Sequence, residues 1–236
     1  KNTALIEAAK DCNAKRVRQL LLIGAEPDKF DNLGETATTA VATSCEKDGV
    51  AILIELLRYG ADLNQLNQHR THTPLMMAAT AQKKRPMLNW LLENGAEINA
   101  TNGDESNVFH IAAAITPFRK SLLTALKEGG VDMNKVNNAG YTPLMWAVVG
   151  GNLDSVKGLL ELGVVLDKSN SEGETASDVA GRTPTAVGNG ILKLLQDKAG
   201  VDVTAPAAKK EAPATKKEAV ADKKKAAGSG NNLSIE

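Results

Sequence analysis

Ser44 and Lys47 stand three residues apart, the Ser-x-x-Lys spacing at which a lysine amine can take the proton of a serine nucleophile. The companion triplets of that chemistry, Lys-Thr-Gly and Ser-Asp-Asn, are missing from the sequence, so the pair reads as a coincidence in a connecting loop. His69 and His72 are also three apart, a spacing that metal ligands use, but no Cys, Asp or Glu lies close enough in sequence to complete a tetrahedral set. With His110 as the third and last histidine, no catalytic constellation forms. The reading is therefore a non-catalytic chain with no metal and no cofactor, and a hydrolase using Ser44 and Lys47 is the rival it must exclude.

The elements that would have to position any such residues repeat along the chain. One landmark recurs as Thr3-Ala4-Leu5, Thr36-Ala37-Thr38, Thr73-Pro74-Leu75, Asn107-Val108-Phe109, Thr142-Pro143-Leu144 and Thr175-Ala176-Ser177, at spacings of 33, 37, 34, 35 and 33 residues. A second keeps the same beat: Gly24-Ala25, Gly60-Ala61, Gly95-Ala96, Gly130-Val131, Gly163-Val164 and Gly200-Val201. A period near 33 is the mark of a stacked helical array. In the stretch from Gly140, Thr142 can cap a helix with Pro143 in its first turn, and Leu144, Ala147 and Val148 give it one narrow apolar face. A second helix carries Leu153, Val156, Leu159 and Leu160 on one stripe and stops at Gly163. The polar, turn-rich residues 164–173 then read as a hairpin-like finger leading to the next Thr.

These residues resemble the ankyrin-repeat family, whose pattern runs Gly-x-Thr-Pro-Leu-His-x-Ala-Ala, then a helix with paired Leu, then Gly-Ala-Asp-x-Asn. Thr73-Pro74-Leu75-Met76-Met77-Ala78-Ala79, Gly60-Ala61-Asp62-Leu63-Asn64 and Gly95-Ala96-Glu97-Ile98-Asn99 carry the likeness. It implies an all-α fold, an ankyrin-repeat solenoid of six helix-turn-helix repeats with β-hairpin-like fingers over residues 1–203. The repeats fall near 1–32, 33–70, 71–104, 105–138, 139–171 and 172–203. Asn2 to Ala9 and residues 175–196 look like the two end caps of such an array, and His110 stands where the family places an inter-repeat hydrogen bond. Insertions break the beat after Cys45 and in the finger from Gln65 to His72, and insertions in arrays map to loops, often on the binding face.

Hydrophobic residues make up 42% of the 236 but only seven residues are aromatic, so the core must rest on aliphatic side chains. The 28 basic and 28 acidic residues cancel; residues 204–236 hold seven lysines against four acids, which leaves that segment near +3 and the array near −3. Neither value points to an extended basic face for nucleic acid. No apolar run reaches the ~18 residues needed to span a bilayer. From Ala205 the register is lost, and the Lys/Ala-rich tail at 204–236 is expected to be disordered. Cys12 and Cys45 occupy matching places in the first two repeats; stacked helices lie about 10 Å apart, so two unbridged thiols are expected, unless the insertion after Cys45 lets them approach.

The resemblance also implies a protein partner, gripped by the finger tips and the concave face of the first helices. The expected contacts are Asn32, Leu33 and Glu35; Gln68, His69, Arg70 and His72; Asp104 and Ser106; Ala139 and Tyr141; Glu172 and Glu174; with Thr80, Ile115, Trp146 and Val149 deeper in the groove. Tyr141, Arg70 and Trp146 are the preferred anchors, since such residue types dominate interface energetics. A start at Lys1 fits a removed leader peptide, and with the cysteines and the tail it is similar to exported bacterial ankyrin proteins. Some of these protect the cell by covering the active sites of its own secreted enzymes, cell-wall peptidases among them. The expectation is a periplasmic or exported monomer that binds such an enzyme; a cytoplasmic chain, or a scaffold joining two proteins, is the alternative.

Overall fold

Apolar stripes of seven to ten residues make helices too short to persist alone, so they must be held by packing. The computed structural model describes residues 4–80, 85–182 and 185–200, and within these it holds twelve α-helices and no strand. They run as six pairs: α1 (Ala4–Lys10) and α2 (Ala14–Leu22), α3 (Ala37–Ser44) and α4 (Gly49–Arg58), α5 (Pro74–Thr80) and α6 (Arg85–Glu93), α7 (Val108–Ala114) and α8 (Lys120–Glu128), α9 (Pro143–Val149) and α10 (Leu153–Leu162), α11 (Ala176–Gly181) and α12 (Ala186–Ala199). First helices form one row, α1 on α3, α3 on α5, α5 on α7, α7 on α9 and α9 on α11; second helices form another, with α2 on α4, α4 on α6, α8 on α10 and α10 on α12. This is the solenoid of paired helices that the period predicts. Thr3 and the 204–236 tail lie outside the described residues.

Local chemistry explains where each first helix from α3 onward starts. Its orphan amides are met by the landmark residue: Thr36 Oγ1 accepts the Thr39 N–H at 3.3 Å, Asn107 Oδ1 the Phe109 N–H at 3.2 Å and Thr142 Oγ1 the Met145 N–H at 3.3 Å. Gly163 ends α10 with φ 82°, a conformation that side chains with a Cβ avoid. Between the rows the core is continuous: Leu5, Ile6, Ile52, Leu53, Leu75, Leu91, Phe109, Leu123 and Leu159 are all buried. Ala9, Ala42, Ala79 and Ala113 are fully covered where first helices face one another, and their small side chains let those helices approach closely.

One polar ladder binds repeats to their neighbours, and a second folds the fingers. In the first, Asn64 Oδ1 accepts the Glu97 N–H at 2.8 Å while its Nδ2 donates to the Gly95 carbonyl at 3.1 Å. Asn99 repeats this with the Asp132 N–H at 2.8 Å and the Gly130 carbonyl at 3.3 Å, and Asn134 accepts the Val165 N–H at 2.8 Å. In the second, Asp31, Asn102, Asn137 and Asn170 each fold a finger by accepting the N–H groups two and four residues on. The hairpin-like fingers are, among the described residues, side-chain-stapled turns, with one isolated antiparallel bridge between Thr101 and Asn107. Arms this short close only a single backbone pair, as when Asn137 donates its N–H to the Tyr141 carbonyl at 3.1 Å, so no ladder grows. The inserted residue of the second finger shifts that pair by one: the Asn67 N–H reaches His72 instead of the residue before it.

The expectation of two free thiols is corrected. Cys12 and Cys45 form a disulfide, their Cα atoms 5.5 Å apart and 33 residues apart in sequence. The spacing of helix axes was the wrong ruler. Cys12 lies in the turn after α1 with φ 55°, and Cys45 is the extended residue that caps α3, so both have left their helices and can meet across the repeat boundary. Beside them Lys10 bridges Asp31 at 2.9 Å and Glu35 at 2.7 Å, and the Asp31 carboxyl is held below its ordinary range against the pull of burial by the Glu35 and Leu33 amides and by Lys10.

Reduction, or Cys12→Ser, is expected to lower unfolding stability by about 3–4 kcal/mol through the released chain entropy. Urea unfolding with and without reductant measures it, and an unshifted midpoint would show that the loop contributes nothing. A second expectation concerns Asp28, which stands in the asparagine ladder and accepts the Asp62 N–H through both oxygens at 3.1 and 3.2 Å. Burial raises its pKa and the nearby Asp62 charge adds to this, only partly offset by the Asp62 amide. A raised carboxyl pKa means stability is lost as pH climbs above 3.8, where the unfolded chain already ionises. Asp28→Asn should therefore stabilise the array by about 1 kcal/mol at neutral pH, with a new donor for the Gly60 carbonyl, and by less towards pH 4. Thermal melts at the two pH values decide it, and equal melting of variant and parent at pH 7 would refute it.

Candidate functional site

One buried histidine organises the site. Asn107 caps α7, and this puts His110 in the helix's first turn, fully covered, with its ring facing the next repeat. His110 Nε2 donates to the Tyr141 carbonyl at 3.1 Å, an atom that can only accept; Nδ1 lies 3.2 Å from the Asn107 nitrogen, whose N–H it accepts in the neutral ring, and 2.8 Å from Asn107 Oδ1. Burial pushes its pKa down, as a neutral ring requires, and the Lys135 charge adds to that; the Tyr141 carbonyl and Asp132 oppose it. The expected inter-repeat hydrogen bond of His110 is thus present. The same ring meets the Trp146 indole edge-on, centroids 6.4 Å apart and planes at 87°. One side chain from the repeat before them therefore holds the Tyr141 main chain and meets the Trp146 ring.

Around this pair lies a groove of about 630 Å³ between the fourth and fifth repeats, lined by Asp104, Ala114, Asn137, Asn138, Ala139, Tyr141, Trp146, Val149 and Gly150. Thr142 and Pro143 set the phase of α9, so Trp146 and Val149 fall on the side turned to the groove while Leu144, Ala147 and Val148 go to the core. Asn137 closes the finger by accepting the Ala139 N–H at 3.1 Å and the Tyr141 N–H at 3.0 Å. On the far side of Tyr141, Arg182 at the end of α11 pairs with Glu172 at 3.2 Å and Glu174 at 2.5 Å and also meets the Tyr141 side chain.

The sequence-derived contacts divide. Asp104, Ala139, Tyr141, Trp146 and Val149 come together in the groove. Glu172 and Glu174 stand beyond it, engaged by Arg182. Asn32 and Leu33 are exposed on the first finger, where Glu35 is tied to Lys10. Gln68, His69 and Arg70 are exposed on the second finger, and His72 is half-buried there, its pKa lowered by burial. Thr80 is exposed at the end of α5, and Ile115 is half-buried with its carbonyl taken by Asn152 at 3.2 Å. Ser106 is buried, its Oγ accepting from Asn137 Nδ2 at 3.3 Å, so its side chain belongs to the finger ladder and offers no open surface. Sequence reasoning missed Asn137, Asn138, Ala114, Gly150 and Arg182. A signal for Asn137 was available, since Asp31, Asn67, Asn102, Asn137 and Asn170 keep the repeat's beat.

Elsewhere the chemistry stays dispersed. Ser44 is the last residue of α3 rather than part of a loop, Lys47 lies in the bend beyond it, both are exposed, and no hydrogen bond joins them. Among the described residues no group of three His, Cys, Asp or Glu could hold a metal ion, and no helix is long and apolar enough to cross a membrane.

Comparison with known families agrees with the geometry. A family model described as ankyrin repeats (3 copies) matches residues 3–102 and again residues 109–207, together more than four-fifths of the chain. No curated protein matches it. Ankyrin repeats generally mediate protein–protein interaction. With six stacked helix pairs, stapled fingers between them and a family match over most of its length, the chain belongs to the ankyrin-repeat family.

Proposed function

We propose that this chain is a non-catalytic binding protein that holds a protein partner against its concave face, with the groove of the fourth and fifth repeats as the centre of the contact. One observation carries the reading: Tyr141 and Trp146 are half-buried, His110 holds the main chain of the first and packs on the ring of the second, and both share an apolar recess open to solvent. Aromatic anchors that need no reordering on binding retain more of their contact energy as affinity.

A narrower reading places the partner outside the cytoplasm and makes it an exported enzyme, such as a cell-wall peptidase, whose active site a single copy of the array covers. The Cys12–Cys45 disulfide favours it, because such bonds persist in oxidising compartments. Affinity capture from the native host supplies the partner for both readings. Against it, the double variant Tyr141→Ala, Trp146→Ala is expected to lose about tenfold or more in affinity, whereas Leu33→Ala on the first finger changes it little. Unaltered affinity of the double variant would remove the groove from the interface. Stoichiometric chain added to a captured peptidase should stop turnover, and full turnover within the complex would overturn the narrower reading.

A further inference from the structure

The groove has a chemical asymmetry that selects among possible occupants. Its lining is apolar, supplied mainly by Ala114, Val149 and the two aromatic residues, and one acidic residue, Asp104, stands at its edge. Three acids of the neighbouring fingers are paired within the protein: Glu105 with Lys135 at 3.7 Å, Glu172 and Glu174 with Arg182 at 3.2 and 2.5 Å. Asp104 is different. Its main chain is fixed, the N–H donating to Asn102 Oδ1 at 3.0 Å and the carbonyl accepting the Asn138 N–H at 2.9 Å, but its exposed carboxylate has neither an ion pair nor a hydrogen-bond donor among the described residues. Arg70, on the preceding finger, makes no ion pair with it.

We infer that the groove is a subsite for a cationic side chain, a lysine or arginine displayed by the protein partner, whose charge meets Asp104 and whose aliphatic stem lies along Val149 between Tyr141 and Trp146. This rests on the proposed function and names the chemistry of the occupant. A purely apolar occupant would strip water from Asp104 and return nothing, and an acidic one would be repelled. Lysine and arginine carry an apolar stem and a charged head, which matches a recess that is apolar in depth and anionic at one wall. The half-buried indole and phenol rings attract a cation lying over their faces. The fixed finger means that the Asp104 main chain needs no reordering when the occupant arrives.

Selection of a random-peptide display library on the immobilised full chain tests this without knowledge of the natural partner. Binders that require Tyr141 and Trp146 are expected to share a lysine or arginine beside an apolar residue. For the best such peptide, Asp104→Asn should weaken binding about fivefold or more, exchange of its cation for norleucine should do the same, and the two changes together should add little further. Raised salt should weaken the parent pair and leave the norleucine pair unmoved. Binders that need Trp146 but carry no cation, or that bind Asp104→Asn as tightly as the parent, would overturn this inference and leave the proposed function standing. A library in which no binder depends on Tyr141 or Trp146 would overturn both.

Discussion

Each helix pair carries an apolar face that it cannot cover by itself, and only the neighbouring pair can cover it. The helices are short, most of them seven to ten residues, and their caps satisfy only the first amides. What holds them is the row of Leu, Ile and Val side chains between repeats, with alanines where the first helices touch. The same demand extends to the polar backbone. Each asparagine of the ladder gives an oxygen to an amide of the next repeat, and Asn64 and Asn99 also return a donor to a glycine carbonyl there, so a repeat is fastened to its neighbour by side-chain-to-backbone bonds as well as by oil. The first pair has a described neighbour on one side only. There the protein adds a covalent bond, Cys12–Cys45, and the Lys10–Asp31–Glu35 cluster.

The groove follows from the same stacking. In the fifth repeat α9 fills the core with Leu144, Met145, Ala147 and Val148, which leaves Trp146 and Tyr141 half-buried at its margin. His110 reaches across the repeat boundary to both, so the site's geometry is a property of two repeats and not of one. Arg182 engages Glu172 and Glu174, whereas Asp104 at the groove's edge has no ion pair among the described residues.

Much of this was legible in the residues. The Thr and Asn landmarks declare helix starts because a cap is a contact over three residues, and Gly163 declares a stop because its backbone conformation excludes other residues. That Tyr141, Trp146 and Val149 share one surface was implied by the family resemblance, and the phase of α9, set by Thr142 and Pro143, carries the last two to the groove. Ser106 was misjudged as open surface because burial in a finger depends on Asn137, a whole repeat away. Arg182 was missed for the same reason: nothing near it in sequence shows that it faces Glu174 and Tyr141.

Sequence alone determined the period, the paired helices, their caps and the family, because each depends on interactions within a few residues repeated at a constant interval. Tertiary structure alone decided that Cys12 meets Cys45, that His110 serves two aromatic residues of the next repeat, and that the Asp104 carboxylate is unpaired while its acidic neighbours are engaged. Those outcomes depend on how far one repeat is shifted and turned against the next. The packing of whole apolar faces sets that shift, and no short stretch of residues encodes it.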